Sequence, residues 1–143
     1  MKKMTFLLAV IFAFGTKNIE AQDISGSKVP TVVKAAFVKK YPEAKKISWE
    51  MEKGNYEANW GGKSGEDNSA MFTPDGAFLE IVLAIPIAQL PAPVAGYVKT
   101  HYKGAEIKEA GKITDAAGKL TYEAEIKGKD LIFDEAGNFI KED

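Results

Sequence analysis

The sequence predicts an α+β fold: two tandem α/β4 repeats forming one continuous antiparallel sheet with two helices on one face. Three observations point there. Val29-Pro30, Tyr41, Phe72, Gly76 and Phe78 recur as Leu90-Pro91, Tyr102, Phe133, Gly137 and Phe139, each 61 residues later, and self-similarity at a fixed offset marks a repeated structural unit. Each copy opens with apolar residues at helical spacing. Each then changes to strict alternation, the period of half-buried strands.

Residues 1–21 carry Lys2 and Lys3, an apolar run of 11 residues from Met4 to Phe14, and a polar stretch ending Ile19-Glu20-Ala21. That is the layout of a cleaved secretory signal peptide, and the run is short of the roughly 20 residues that span a bilayer. The chain contains no cysteine, so a lipid anchor at this point is not expected. The predicted location is therefore periplasmic or secreted, without a membrane anchor. Residues 22–28 read as a mature N-terminal tail.

The first repeat, 29–83, opens at Pro30, a residue suited to the first helical position because its missing N–H has no partner there. Val32, Val33, Ala36, Phe37 and Tyr41 follow at helical spacing, with Lys34, Lys39 and Lys40 on the other side. Pro42 ends the helix by restricting the residue before it. Four strands are predicted next, over Ile47–Met51, Asn55–Trp60, Ser69–Thr73 and Ala77–Leu83. Glycine-containing turns, among them Pro74-Asp75-Gly76, supply the positive φ that tight hairpins need. Residues 84–89, with Pro86, read as an apolar linker.

The second repeat, 90–143, repeats the scheme with Val94, Tyr97, Val98 and Tyr102 in its helix, ended by Gly104. Gly96 weakens that helix by about 1 kcal/mol relative to alanine, so packing must hold it. The copies differ in their hairpins. Tyr41 to Tyr56 is 15 residues against 20 from Tyr102 to Tyr122, whereas Tyr56 to Phe72 is 16 against 11 from Tyr122 to Phe133. The first copy therefore extends its second hairpin, through Gly61 to Asn68, and the second copy its first. Loops are where a repeated scaffold acquires function.

A signal peptide, two copies of apolar-Pro with a helix ending in Tyr, two Tyr-Glu-Ala strands (Tyr56 to Ala58, Tyr122 to Ala124) and two Phe-x-x-x-Gly-x-Phe motifs (Phe72 to Phe78, Phe133 to Phe139) together resemble the PepSY-like, beta-lactamase-inhibitor-protein-like family of small exported bacterial proteins, common in Bacteroidetes. The resemblance implies a concave sheet face able to grip another protein. It carries over no inhibitory contact residue by residue.

Composition bounds the function further. From Gln22 onward the chain has 16 basic and 19 acidic residues, a net charge of −3, which recommends no nucleic acid as partner. Every basic residue is lysine, so the planar bidentate donor suited to phosphate is missing. Gly61-Gly62-Lys63-Ser64 fails as a phosphate loop because Glu57 stands where its first glycine belongs. His101 is the single histidine, too few for the usual zinc site, and Asp75, Asp115 and Asp134 fit turn chemistry rather than a calcium loop. No catalytic, cofactor-binding or metal-binding residues are predicted, and the chain is not read as an enzyme.

Glu50, Glu52, Glu57, Glu123 and Glu125 alternate with apolar residues and share a sheet face. One reading is an ordinary solvated face. The sharper one is a protein-binding face in which carboxylates steer a basic partner and aromatics anchor it, made of Glu50, Glu57, Asn59, Phe78, Glu123, Glu125 and Phe139. Phe78 and Phe139 belong to it if Leu79 and Ile140 face the helices. The expected function is an exported, non-enzymatic binding module for another periplasmic or secreted protein, inhibition being one form of such binding. The alternative is a small-ligand carrier with a pocket between the two repeats.

Overall fold

The computed structural model describes residues 21–143, so the predicted signal peptide lies, Ala21 apart, outside the described residues. Strands β1 (Gln22–Ile24), β2 (Ser48–Glu52), β3 (Asn55–Trp60), β4 (Asn68–Phe72), β5 (Phe78–Ala84), β6 (Glu109–Asp115), β7 (Leu120–Ile126), β8 (Lys129–Asp134) and β9 (Phe139–Glu142) accompany helices α1 (Thr31–Lys40) and α2 (Ala92–His101). Hydrogen-bonded neighbours run in chain order, β1 to β9, and the fold is α+β as predicted. Contacts divide the chain into two compact units, one ending at Ile81 and one from Val82 to Asp143.

In the first unit, α1 starts one residue after Pro30, which caps it, and Tyr41 closes it by donating its N–H to the Phe37 carbonyl at 2.8 Å. Val33 and Phe37 pack on a sheet face formed by Trp49, Ala58, Trp60, Ala70 and Phe72. Lys53-Gly54, with φ of 49° and 83°, makes the two-residue hairpin between β2 and β3, the positive-φ geometry that matches strand twist. The longer connection, from Gly61, joins β3 to β4.

In the second unit, Val94 and Val98 of α2 pack on Ala124, Ile126, Leu131 and Phe133. Here the tight hairpin is Lys127-Gly128, between β7 and β8, and the longer one joins β6 to β7 through Asp115. The hairpin asymmetry thus appears where the spacing placed it. Asp115 and Asp134 act as turn residues: each carboxylate accepts two backbone N–H groups, from Ala117 and Lys119 and from Ala136 and Asn138, at 2.8–3.0 Å.

The residues expected to be a tail hold more structure than that. Gln22–Ile24 pairs with β2 through Ile24↔Trp49, and Gly26–Lys28 forms a 3-10 turn before Pro30. Ile87–Gln89 forms the matching 3-10 turn before Pro91, 61 residues on. Ile85, which corresponds to Ile24, donates its N–H to the Ala110 carbonyl at 2.9 Å. Each copy therefore begins about seven residues earlier than its proline, with a strand segment.

Phe78 and Phe139 lie on the helix side, a correction to their expected place on the open face. Phe78 packs edge-on to Phe72, 5.7 Å between centroids, beneath the Lys40 ammonium at 4.1 Å. Phe139 stacks on Tyr97 at 4.6 Å. The cause is a break in alternation: Ile132 pairs with Lys141 but Phe133 with Phe139, leaving Ile140 as the extra residue of a bulge. In β5, Phe78 and Ile81 both pack on the first core although three residues apart, so parity counted from Leu79 fails there as well.

The glycine shared by the two motifs has a steric reason. Gly137 has φ +87°, and a Cβ there would lie 2.9 Å from Pro91 and Pro93 at the start of α2. Gly118 has a similar φ of +83° with open space around it. Gly137→Ala should therefore cost about 2–4 kcal/mol, the left-handed penalty plus overpacking, against about 1–2 kcal/mol for Gly118→Ala. Urea unfolding of both variants tests this, and equal losses would refute the contact.

Candidate functional site

Antiparallel register decides which carboxylates meet. Glu50 stands directly opposite Glu57 across β2 and β3, and Asp23 of β1 stands opposite Glu50. Three carboxylates therefore lie in one row on the face away from α1, an arrangement that like charges disfavour in the absence of compensation. In the second unit Glu125 is opposite Glu109 on one side and Asp130 on the other.

These positions are not a solvated face. Glu57 is 1% exposed and Glu123 2%, while Asn59 is also buried and Glu50 and Glu125 are half-buried. Glu52 and Glu80 are buried too. Ser69 donates its hydroxyl to the Glu57 carboxylate in a short hydrogen bond. Burial pushes the Glu57 carboxyl up to about 8; the Ser69 hydrogen bond opposes that, and repulsion from Glu52, Glu50 and Glu80 adds to it. Alternation identified the face correctly, but it says nothing about accessibility. Whether as a solvated or as a protein-binding face, these positions were expected to be accessible, and most of the carboxylates and Asn59 are found buried or half-buried.

Of the predicted residues, Glu50 borders open space. A groove of about 750 Å³ in the first unit is lined by Ala21, Asp23, Ile24, Trp49, Glu50, Ser64 and Glu66, among others. Its walls come from β1, the start of β2 and the long connection after Gly61. Asp23, Glu50 and Glu66 make it acidic, and Ile24, Ile47 and Trp49 give it apolar surface. Asp23 and Glu66 were not singled out from the sequence. The signal for Glu66 was the extended hairpin itself, whereas Asp23 lay in a segment without a periodic pattern.

The single histidine, His101, faces its own helix: its Nδ1 lies 3.0 Å from the Tyr97 carbonyl, and its ring stacks on Tyr97 at 4.0 Å. Among the described residues, no group of three His, Cys, Asp or Glu side chains is placed to hold a metal ion. Tyr102 donates its hydroxyl to Glu142 at 2.6 Å, which pushes the phenol up to about 12, and Lys129 pairs with the same carboxylate. This tie fixes β9 to the end of α2.

Among solved structures, the chain resembles a protein from Bacteroides eggerthii provisionally assigned to the periplasm, with 19% identity and a TM-score of 0.67 over 80% of this chain and 88% of that one. A DUF2874 family protein from Bacteroides ovatus gives 17% identity and a TM-score of 0.66, over 82% and 89% of the two chains. A BLIP-like protein from Bacteroides fragilis gives 21% and 0.55, over 80% and 84%. At such identities the likeness establishes the fold. No curated protein sequence matches significantly. No helix among the described residues is long and apolar enough to cross a membrane. The family profile described as beta-lactamase-inhibitor-like, PepSY-like matches residues 16–61 and 59–141. The chain, as its repeated Tyr-Glu-Ala and Phe-x-x-x-Gly-x-Phe motifs suggested, belongs to the PepSY-like, beta-lactamase-inhibitor-like family.

Proposed function

We propose that the chain is an exported, non-enzymatic protein-binding module that receives a basic segment of another periplasmic or secreted protein. The observation that carries this reading is the acidic groove of the first unit, about 750 Å³, with Asp23, Glu50 and Glu66 in its lining. Carboxylates so placed steer a cationic partner and fix its register, and the half-buried Ile24 and Ile47 supply apolar surface of the sort that anchors bound side chains. Within the set predicted from sequence, Glu50 is the residue that meets the partner. Glu57, Asn59 and Glu123 are too buried for direct contact, and Phe78 and Phe139 support the helices.

Export is supported by the charged, apolar and small-residue layout of 1–21. The non-enzymatic reading accords with the beta-lactamase-inhibitor-like family to which the chain belongs. The test is retention of envelope proteins on immobilised protein in low salt. Wild type should hold a basic partner that elutes with rising salt, and Glu50→Lys with Glu66→Lys should lose it at least tenfold. Equal retention by the doubly reversed variant would sink the reading. A bound small molecule in native mass spectra, with no protein retained, would favour the small-ligand carrier instead.

A further inference from the structure

Glu50 has two neighbours of different kinds. On one side it lines the groove; on the other it stands in direct register with Glu57, at the roughly 5 Å between Cβ atoms of cross-strand partners. Glu57 is cut off from solvent and holds the Ser69 hydroxyl. The groups acting on it from the strands around it are Glu50 and Glu52 of β2, Ser69 of β4 and Glu80 of β5, with the Lys53 ammonium 3.6 Å from Glu52. Charge on Glu57 is therefore felt at Glu50 through a poorly polarisable interior, where such coupling is strong.

We infer that groove occupancy is proton-linked: a cationic group held at Glu50 favours release of the proton from Glu57 behind it, and an ionised Glu57 strengthens the hold on that cation. The inference rests on the proposed function for its ligand, a lysine-bearing segment, but the coupling between the two carboxyls stands on the sheet register. Coupling between sites is reciprocal, and groups this close titrate as a set rather than singly. Since burial pushes Glu57 up to about 8, the exchange falls within the range where a lysine side chain stays charged. Affinity for the cation rises with pH through that titration, because the ionised form adds negative potential to the groove.

Two measurements on the purified protein separate the coupling from the ligand. The first follows the Glu57 carboxyl carbon by NMR from pH 5 to pH 10. Glu50→Gln should lower its midpoint by about one pH unit, while Glu66→Gln, in the groove but outside the register pair, should move it much less. An unmoved midpoint in Glu50→Gln overturns the inference. The second titrates acetylated tetralysine amide at pH 6 and pH 9. Wild type should bind it about fivefold or more tightly at pH 9, and Glu57→Gln should bind it equally at both. Equal affinity in wild type at the two pH values also overturns the linkage. Failure of the peptide to bind at either pH refutes the groove as a cation site, with the NMR titration still deciding the coupling.

Discussion

Replacing Phe37 by alanine should destabilise the first unit by about 3–5 kcal/mol, the range for removing a fully buried phenylalanine. Phe37 is 1% exposed, and its ring lies 5.0 Å from Trp60, 5.5 Å from Trp49, 5.6 Å from Tyr41 and 6.2 Å from Phe72, the first two and the last edge-on. Such geometry adds to the burial of area, since the positive ring edge meets a negative face. Helix α1 has little else to hold it, because Val33 is its other fully buried residue. The corresponding position in the second unit is Val98, where alanine should cost about 1–2 kcal/mol; there the aromatic has moved one residue back, to Tyr97, which meets Phe133 and Phe139. Trp49 and Trp60 both touch Phe37, so their fluorescence follows unfolding of the first unit directly. A loss in Phe37→Ala no larger than in Val98→Ala would refute this account of the core.

The second large effect is a dependence of stability on pH with an unusual sign. The Glu57 carboxyl is pushed up to about 8 in the folded chain from an ordinary value of 4.5. Below 4.5 both folded and unfolded chains hold the proton, and the group contributes nothing against folding. Between 4.5 and 8 the unfolded chain releases it while the folded chain keeps it, so stability falls as pH rises, by up to about 1.4 kcal/mol per pH unit. Above 8 the loss is complete and flat, of the order of 3–5 kcal/mol in all. Glu57→Gln keeps an acceptor for Ser69 and removes the charge. It should unfold at higher urea than wild type at pH 8, and the two should converge at about pH 4 and below. A wild-type slope that persists unchanged in Glu57→Gln would assign the effect to other carboxyls.

Much of the fold was legible because its signals are local. Pro30 and Pro91 mark helix starts, Tyr41 and Tyr102 their ends, and alternation in Tyr56 to Trp60 and Tyr122 to Ile126 marks strands that the structure places almost residue for residue. Where alternation is interrupted, the inference fails. The extra residue at Ile140 turns Phe139 back to the helix side, and nothing in the sequence Asn138-Phe139-Ile140-Lys141 announces it. The short β1 was illegible for a different reason: three residues carry too little pattern, and its place is set by nonlocal pairing with Trp49 to Met51 of β2. The candidate site was half legible. Tyr-Glu-Ala put Glu57 on the correct face, but its burial depends on nonlocal packing, and its pairing with Glu50 depends on the length of the Lys53-Gly54 hairpin.

Among the described residues, two copies of a four-stranded unit yield nine strands, not eight. The count is that of posts in a fence: four per bay, plus one to begin. The opening post is the three-residue Gln22–Ile24, where the second bay has the end of the seven-residue β5. The two bays thus share a plan but differ in how firmly each is begun, and the groove lies beside the lighter post. Slower exchange of backbone amides at Ile85 than at Ile24 would be the mark of that difference.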